Sequence, residues 1–238
     1  MTEEKENLRT FFCDTLMQES CQRDDPVQHL FAKQLFIQSP GAEERQNLPS
    51  KYSGLSQILP SLYLCGAGAV RPETISSLRI TLIVNVAPEL PDTPLPENPP
   101  AYMRVSILDK GDNDIRSHFE AVTSRIEEER LNGGVTLVHC VAGVSRSTSF
   151  CLAYLMRYFG MPLRDAFLYV KSTRPQIRPN VGFFRQLIAY EEEVLELSTV
   201  SMIFIEAIGQ EVPDVYAPQY QAMEEFYRKH RKHARRRD

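Results

Sequence analysis

From residue 51 onward, short apolar runs alternate with stretches in which apolar residues return every three or four positions. This alternation of strand and helix patterns marks an α/β domain. Ile58 to Leu64, Leu82 to Val86, Tyr102 to Ile107 and Val135 to Val138 read as strands. Between the last two, Ile115, Phe119, Val122 and Ile126 define one face of an amphipathic helix that the Gly133-Gly134 turn ends. A nearly all-apolar stretch from Ser147 to Phe159 predicts a helix buried on several faces. Two more helices are expected, Leu163 to Ser172 opened by Pro162 and Val181 to Leu197 capped by Asn180. Prolines 88, 91, 94, 96, 99 and 100 make residues 88–100 a stiff extended connection, because proline fixes φ and removes a donor.

The ends of the chain read differently. In residues 1–50, Leu8, Phe11, Phe12 and Leu16, then Leu30, Phe31, Leu35 and Phe36 after Asp25-Pro26, predict two short helices, packing on the main domain or docking a partner, closed by Ser39-Pro40-Gly41. The expected organisation is an N-terminal extension (1–50), one catalytic-sized domain (51–198) and a C-terminal extension with a basic tail (199–238). That tail carries Arg228, Lys229, Arg231, Lys232, Arg235, Arg236 and Arg237, which leaves the rest of a chain of net charge -4 clearly acidic. A nucleic-acid surface on the catalytic domain is therefore not expected. Five scattered cysteines without a Cys-x-x-Cys pair argue against a disulfide scaffold or a zinc site and for a reducing compartment. With an acidic N-terminus and no apolar run long enough to span a bilayer, the expectation is a cytoplasmic protein, the basic tail admitting the nucleus as a second compartment.

One segment carries chemistry. Val135-Thr-Leu-Val-His-Cys-Val-Ala-Gly-Val-Ser-Arg-Ser147 is a β-branched strand running through a short loop into a helix. Such a junction points successive backbone N–H groups of Val141, Ala142, Gly143, Val144 and Ser145 inward and adds the positive end of the helix, a cradle for a phosphate dianion. A thiol placed there is favoured as its anion, so Cys140 is the candidate nucleophile. Arg146, six positions on, can hold two phosphate oxygens with its planar fork, and Gly143 permits the tight turn. Cys151, inside the apolar helix, reads as a small buried hydrophobe. His139 reads as a buried hydrogen-bonding residue that orients the loop, and His29, His118, His230 and His233 form no ligand cluster.

His139-Cys140-Val-Ala-Gly143-Val-Ser-Arg146-Ser147 resembles the His-Cys-x5-Arg-Ser/Thr signature of protein tyrosine phosphatases, in the form typical of dual-specificity phosphatases. The resemblance runs from about residue 53 to 197, through Ser53-Gly-Leu-Ser-Gln-Ile, Leu62-Tyr-Leu, Asn85-Val-Ala and Arg178-Pro-Asn-Val-Gly-Phe183, and is closest to the small atypical members. It implies a central, mostly parallel sheet flanked by helices. It also implies hydrolysis of phosphotyrosine and phosphoserine/threonine in protein substrates through a phosphocysteine, with no metal or other cofactor. A carboxylic acid should then sit over the loop to protonate the leaving oxygen. Asp109, expected at the end of a strand, matches the family's general acid, with Asp112 and Asp114 as competitors whose plainer roles are turn and helix-start residues. Ser147 matches the family hydroxyl that eases departure of the Cys140 thiolate, and it could equally cap the helix.

Two other readings stand beside this one. Phosphatases of phosphoinositides or RNA built on the same loop usually place lysines in it, whereas Val141, Ala142, Val144 and Ser145 bring no charge. The second is a non-catalytic module: a phosphoprotein-binding one would be expected to have lost Cys140, Arg146 or Asp109, and all three are present, whereas a scaffold would work through its ends, with basic Arg228 to Arg237 contacting acidic partners, nucleic acid or a nuclear import receptor.

Overall fold

The structure is a computed structural model that describes residues 54–91 and 95–234, with side chains as far as Lys229. The two helices expected in residues 1–50, Cys13, Cys21, His29, residues 92–94 of the proline-rich connection and residues 235–238 of the basic tail lie outside the described residues. So do the side chains of His230 and His233.

Five strands form one sheet in the order β1-β2-β5-β3-β4: β1 (Leu55–Leu59), β2 (Leu62–Gly66), β3 (Leu82–Asn85), β4 (Ala101–Arg104) and β5 (Thr136–Cys140). Only the β1–β2 pair is antiparallel, and the other three pairings are parallel. The run Ile58 to Leu64, expected as one strand, is instead a hairpin that turns at Pro60-Ser61, because proline has no N–H to give to a ladder. The strand expected over Tyr102 to Ile107 is Ala101–Arg104. Its last ladder bond runs from Val105 N to Asn85 O, after which Ile107 N turns back to Val105 O. The described part of residues 88–100 contains neither helix nor strand, as its prolines require.

Strand alternation gives the sheet two apolar faces. Leu62, Leu64, Leu82, Val84 and Val138 face the large core. This core is shared with α2 (Phe119–Leu131), α3 (Arg146–Phe159), α4 (Leu163–Thr173) and α5 (Val181–Leu195). Tyr63, Cys65, Ile83 and Leu137 face the other side, covered by α1 (Pro72–Ser77) and its flanks. Helix α3 is buried continuously from Arg146 to Met156, as its nearly all-apolar sequence predicts, and ends at Gly160 in the left-handed conformation. Asn180 accepts from Phe183 N and caps α5.

Beyond α5 the chain forms a hairpin, β6 (Met202–Ile205) with β7 (Gln210–Pro213), and then α6 (Ala217–Ala234). Val200, Ile205, Val212 and Tyr216 enter the main core. Buried Glu191 of α5 accepts from Leu163 N, Thr199 N and Thr199 Oγ1, tying the start of this segment to α4. No helix among the described residues is long and apolar enough to cross a membrane.

His139 on β5 is fully buried, and strand alternation turns its ring away from Cys140, toward the face that Cys65 lines. Neither ring nitrogen makes a regular hydrogen bond among the described residues, and the backbone of Cys140 is the polar group that acts on the ring. Burial is the main cause that pushes its pKa down to about 4. The folded state therefore resists a proton that the unfolded chain takes up near pH 6.5. Stability is full above that value and falls as pH drops toward about 4. Between pH 7 and 5 this one group should remove about 2 kcal/mol from the unfolding free energy. Urea titrations of His139→Gln should lose that part of the slope, and an unchanged slope would show that the ring is not held neutral.

Candidate active site

The loop from Cys140 to Arg146 joins β5 to α3, and the N–H of Gly143 points inward to the Cys140 sulfur. The loop's carbonyls must then point outward into protein, where each buried acceptor needs a donor. All four from 141 to 144 have one. Val141 O accepts from Ala67 N at 3.0 Å and Val144 O from Arg178 N at 2.8 Å. Ala142 O and Gly143 O accept from Nη2 and Nε of Arg174 at 3.0 and 2.7 Å. The remaining nitrogen of Arg174, Nη1, reaches Gly54 O at 2.8 Å. This buried guanidinium, at the end of α4, thus sets the loop's curvature and also places a positive charge behind it. Gly143 has φ +65, and a Cβ there would meet the Cys65 carbonyl at 2.4 Å, so the sharp turn admits only glycine.

At the centre, Cys140 Sγ accepts from Gly143 N at 3.2 Å and from Ser147 Oγ at 3.1 Å, two donors that stabilise negative charge on sulfur. Ser147 lies within the first turn of α3, whose N-cap is Ser145, so its hydroxyl serves the sulfur and not the helix end.

Arg146 has a side chain only 4% exposed and meets Glu89 in a bidentate pair, Nη1 to Oε2 at 2.8 Å and Nη2 to Oε1 at 2.6 Å. Nη1 also donates to Ile107 O at 3.1 Å. A guanidinium has five N–H groups, and these contacts use three. The two left are Nε–H, which has no partner among the described residues, and the second hydrogen on Nη2. They lie on one edge of the plane, the fork that matches two phosphate oxygens. Glu89 therefore occupies the far edge and fixes the plane's orientation. Arg146's hydrogen bonds are the main cause that holds the Glu89 carboxyl below the usual carboxylate range.

Asp109 lies in the loop beyond β4 and not at a strand end, because the chain has already turned at Val105 to Ile107. Its carboxylate is 39% exposed, and Oδ1 accepts from Ser145 Oγ and Asn180 Nδ2, both at 2.7 Å. Oδ2 stands 4.0 Å from Arg146 Nε. The loop is held from behind by Gln186, which donates to Asn113 O and accepts from Ile115 N and Arg116 N. The competing aspartates have other partners. Asp112 accepts only from Asn113 Nδ2 next door. Asp114 accepts from Ser117 N at the start of the helical segment, the main cause that lowers its pKa. Of the three, Asp109 is the one joined to the phosphate loop.

Sequence reasoning missed Glu89, Arg174, Asn180's second role and Gln186. The Arg178-Pro-Asn segment was visible as a motif, but its contacts to Val144 and Asp109 were not. Glu89 and Arg174 act across 57 and about 31 positions, and nothing local distinguishes them from surface charges.

The model of the dual specificity phosphatase catalytic domain matches residues 62–193, more than half of the chain. Human dual specificity protein phosphatase 18 is 41% identical over 172 residues, covering 72% of this chain and 89% of that protein. Human dual specificity protein phosphatase 14 is 42% identical over 165 residues, covering 68% and 81%. Among solved structures, that of the human phosphatase DUSP28 carrying Y102H superposes with a TM-score of 0.56 at 40% identity, covering 60% of this chain and 97% of that one. On these matches the chain belongs to the dual specificity protein phosphatases, among the small atypical members of the protein tyrosine phosphatase superfamily.

Proposed function

We propose that this protein phosphatase hydrolyses phosphotyrosine and phosphoserine/phosphothreonine monoesters with Cys140 as nucleophile, Arg146 as clamp and Asp109 as the proton donor. The observation that carries this reading is the donor accounting of Arg146. After Glu89 and Ile107 are satisfied, two N–H groups remain side by side on the loop that bears the Cys140 sulfur.

In the first step the Cys140 thiolate attacks phosphorus in line with the ester oxygen. The S–P bond forms, the P–O bond breaks and Asp109 gives its proton to the leaving oxygen. The inward N–H groups of residues 141–145 and the Arg146 fork hold the equatorial oxygens as charge spreads over them. In the second step water attacks phosphorus, Asp109 takes its proton, and the electrons of the S–P bond return to sulfur. The Ser147 hydroxyl, already 3.1 Å from that sulfur, supports its departure. Leu108 and Val141, 45% and 44% exposed, give the rim an apolar character. Val141, Ala142, Val144 and Ser145 bring no charge to the loop, which suits a peptide or an aromatic ring better than a multiply charged headgroup.

Cys140→Ser should lower turnover of an aryl phosphate by about a thousandfold or more while phosphate still binds, because a neutral hydroxyl is a poor nucleophile. Substantial residual turnover would remove Cys140 from the reaction. Asp109→Asn should slow a phosphoserine peptide most, a phosphotyrosine peptide less and a nitrophenyl ester least, since a general acid matters in proportion to leaving-group basicity. Single-turnover measurements check this ordering, and Asp112→Asn or Asp114→Asn reproducing it would move the acid. Glu89→Ala should lower kcat/KM by about tenfold or more through a misaligned Arg146. A rise in kcat/KM instead would mean that Glu89 competes with substrate for the guanidinium.

A further inference from the structure

The amide plane between Pro179 and Asn180 is gripped at both ends. Its carbonyl accepts from the hydroxyl of Tyr216 at 2.7 Å, and its N–H donates to Ser145 Oγ at 3.0 Å. A peptide unit is rigid, so holding its oxygen and its hydrogen fixes the plane and with it the starting direction of the Asn180 side chain. That side chain uses its oxygen on Phe183 N and is left with its amino group to donate to Asp109 at 2.7 Å. Ser145 Oγ, at the other end of the plane, also donates to Asp109 at 2.7 Å. Both hydrogen bonds that locate the Asp109 carboxylate therefore come from groups attached to one clamped amide.

Tyr216 belongs to the segment that follows the β6–β7 hairpin, beyond the residues 62–193 that match the family's catalytic domain. Its ring is buried against Phe167 and Phe184, at 5.7 and 5.4 Å between centroids, which leaves the hydroxyl no freedom to leave the carbonyl. The neighbouring residue is held from the same side. The Arg178 guanidinium stacks over the rings of Tyr216 and Tyr220 at 5.1 and 5.5 Å and donates to Gln219 Oε1. Burial pushes the Tyr216 phenol up, so the group remains a donor across the working range of the enzyme.

We propose that Tyr216 is a positioning residue for the protonation step: the C-terminal segment sets the placement of Asp109 through the Pro179–Asn180 amide. This rests on the reading of Asp109 as the general acid.

The test is Tyr216→Phe in the full chain, which keeps the ring packing and removes the hydroxyl. Single-turnover phosphorylation of Cys140 by a phosphoserine peptide should fall about fivefold or more, while a nitrophenyl ester, which scarcely needs an acid, should change less than about twofold. Substrate affinity should be unaltered for both. In an Asp109→Asn background the same substitution should cause no further loss with phosphoserine. An equal loss on both substrates, or a loss of thermal stability without a leaving-group dependence, would make Tyr216 merely structural. Should Tyr216→Phe not fold, Asn180→Ala removes the same arm closer to the acid and must show the same ordering of substrates, or the proposal fails. If Asp109→Asn itself shows no leaving-group dependence, the acid is misassigned and the role of Tyr216 falls with it. If Asp109→Asn shows it and Tyr216→Phe does not, only the role of Tyr216 is overturned.

Discussion

A loop that turns its amide hydrogens toward a ligand must turn its carbonyls into the protein, and unpaired buried carbonyls are costly. That constraint organises this molecule. The four carbonyls from Val141 to Val144 draw their donors from Ala67 after β2, Arg174 after α4 and Arg178 before α5. Three separate connections must therefore converge on one side of the sheet before the cradle can exist. Arg174 is the most demanding of these partners, because its third nitrogen is spent on Gly54 at the entrance to β1, which binds the first hairpin into the same arrangement. A lysine could supply the charge but not a planar set of donors aimed at three carbonyls.

The same accounting explains why an acidic residue sits beside a phosphate-binding arginine. Left alone, the buried Arg146 would be free to rotate its plane and would pay for an uncompensated charge. Glu89 meets the edge formed by Nη1 and Nη2 and leaves Nε–H and the second Nη2 hydrogen open. Electrostatics of this kind is directional: the carboxylate reduces net charge in the empty site, yet it does not take the hydrogens that a substrate oxygen would use.

How much of this could be read from the sequence follows from how local each feature is. Cys140, Gly143, Arg146 and Ser147 sit within one short segment and announce themselves by spacing, and the buried helix α3 by its nearly all-apolar composition. The hairpin turn at Pro60-Ser61 was hidden because Ile58-Leu59 and Leu62-Tyr63 flank it with apolar residues that look continuous. Asp109 lies in a loop and not at the expected strand end, since the bend at Val105 to Ile107 involves only backbone hydrogen bonds that no side chain signals. The β6–β7 hairpin offered two short strands with weak alternation, and what fixes it is tertiary: Ile205 and Val212 dropping into a core whose other walls lie in α4 and α5. Glu89 and Arg174 were illegible because a charge acquires its role only from what the fold brings to it.

The parallel pairing of β2 with β5 matches Leu62 to Thr136 and ends with Gly66 beside Cys140. These partners are 74 positions apart, and the loop they frame is closed by residues still further along the chain. Contacts of such separation form late, since the entropy of closing the intervening chain is lost before the pairing rewards it. The loop from Cys140 to Arg146 therefore exists only once these distant segments have been brought together. A nascent or partly folded chain would carry the signature residues without the convergence of Ala67, Arg174 and Arg178 that holds their loop in shape.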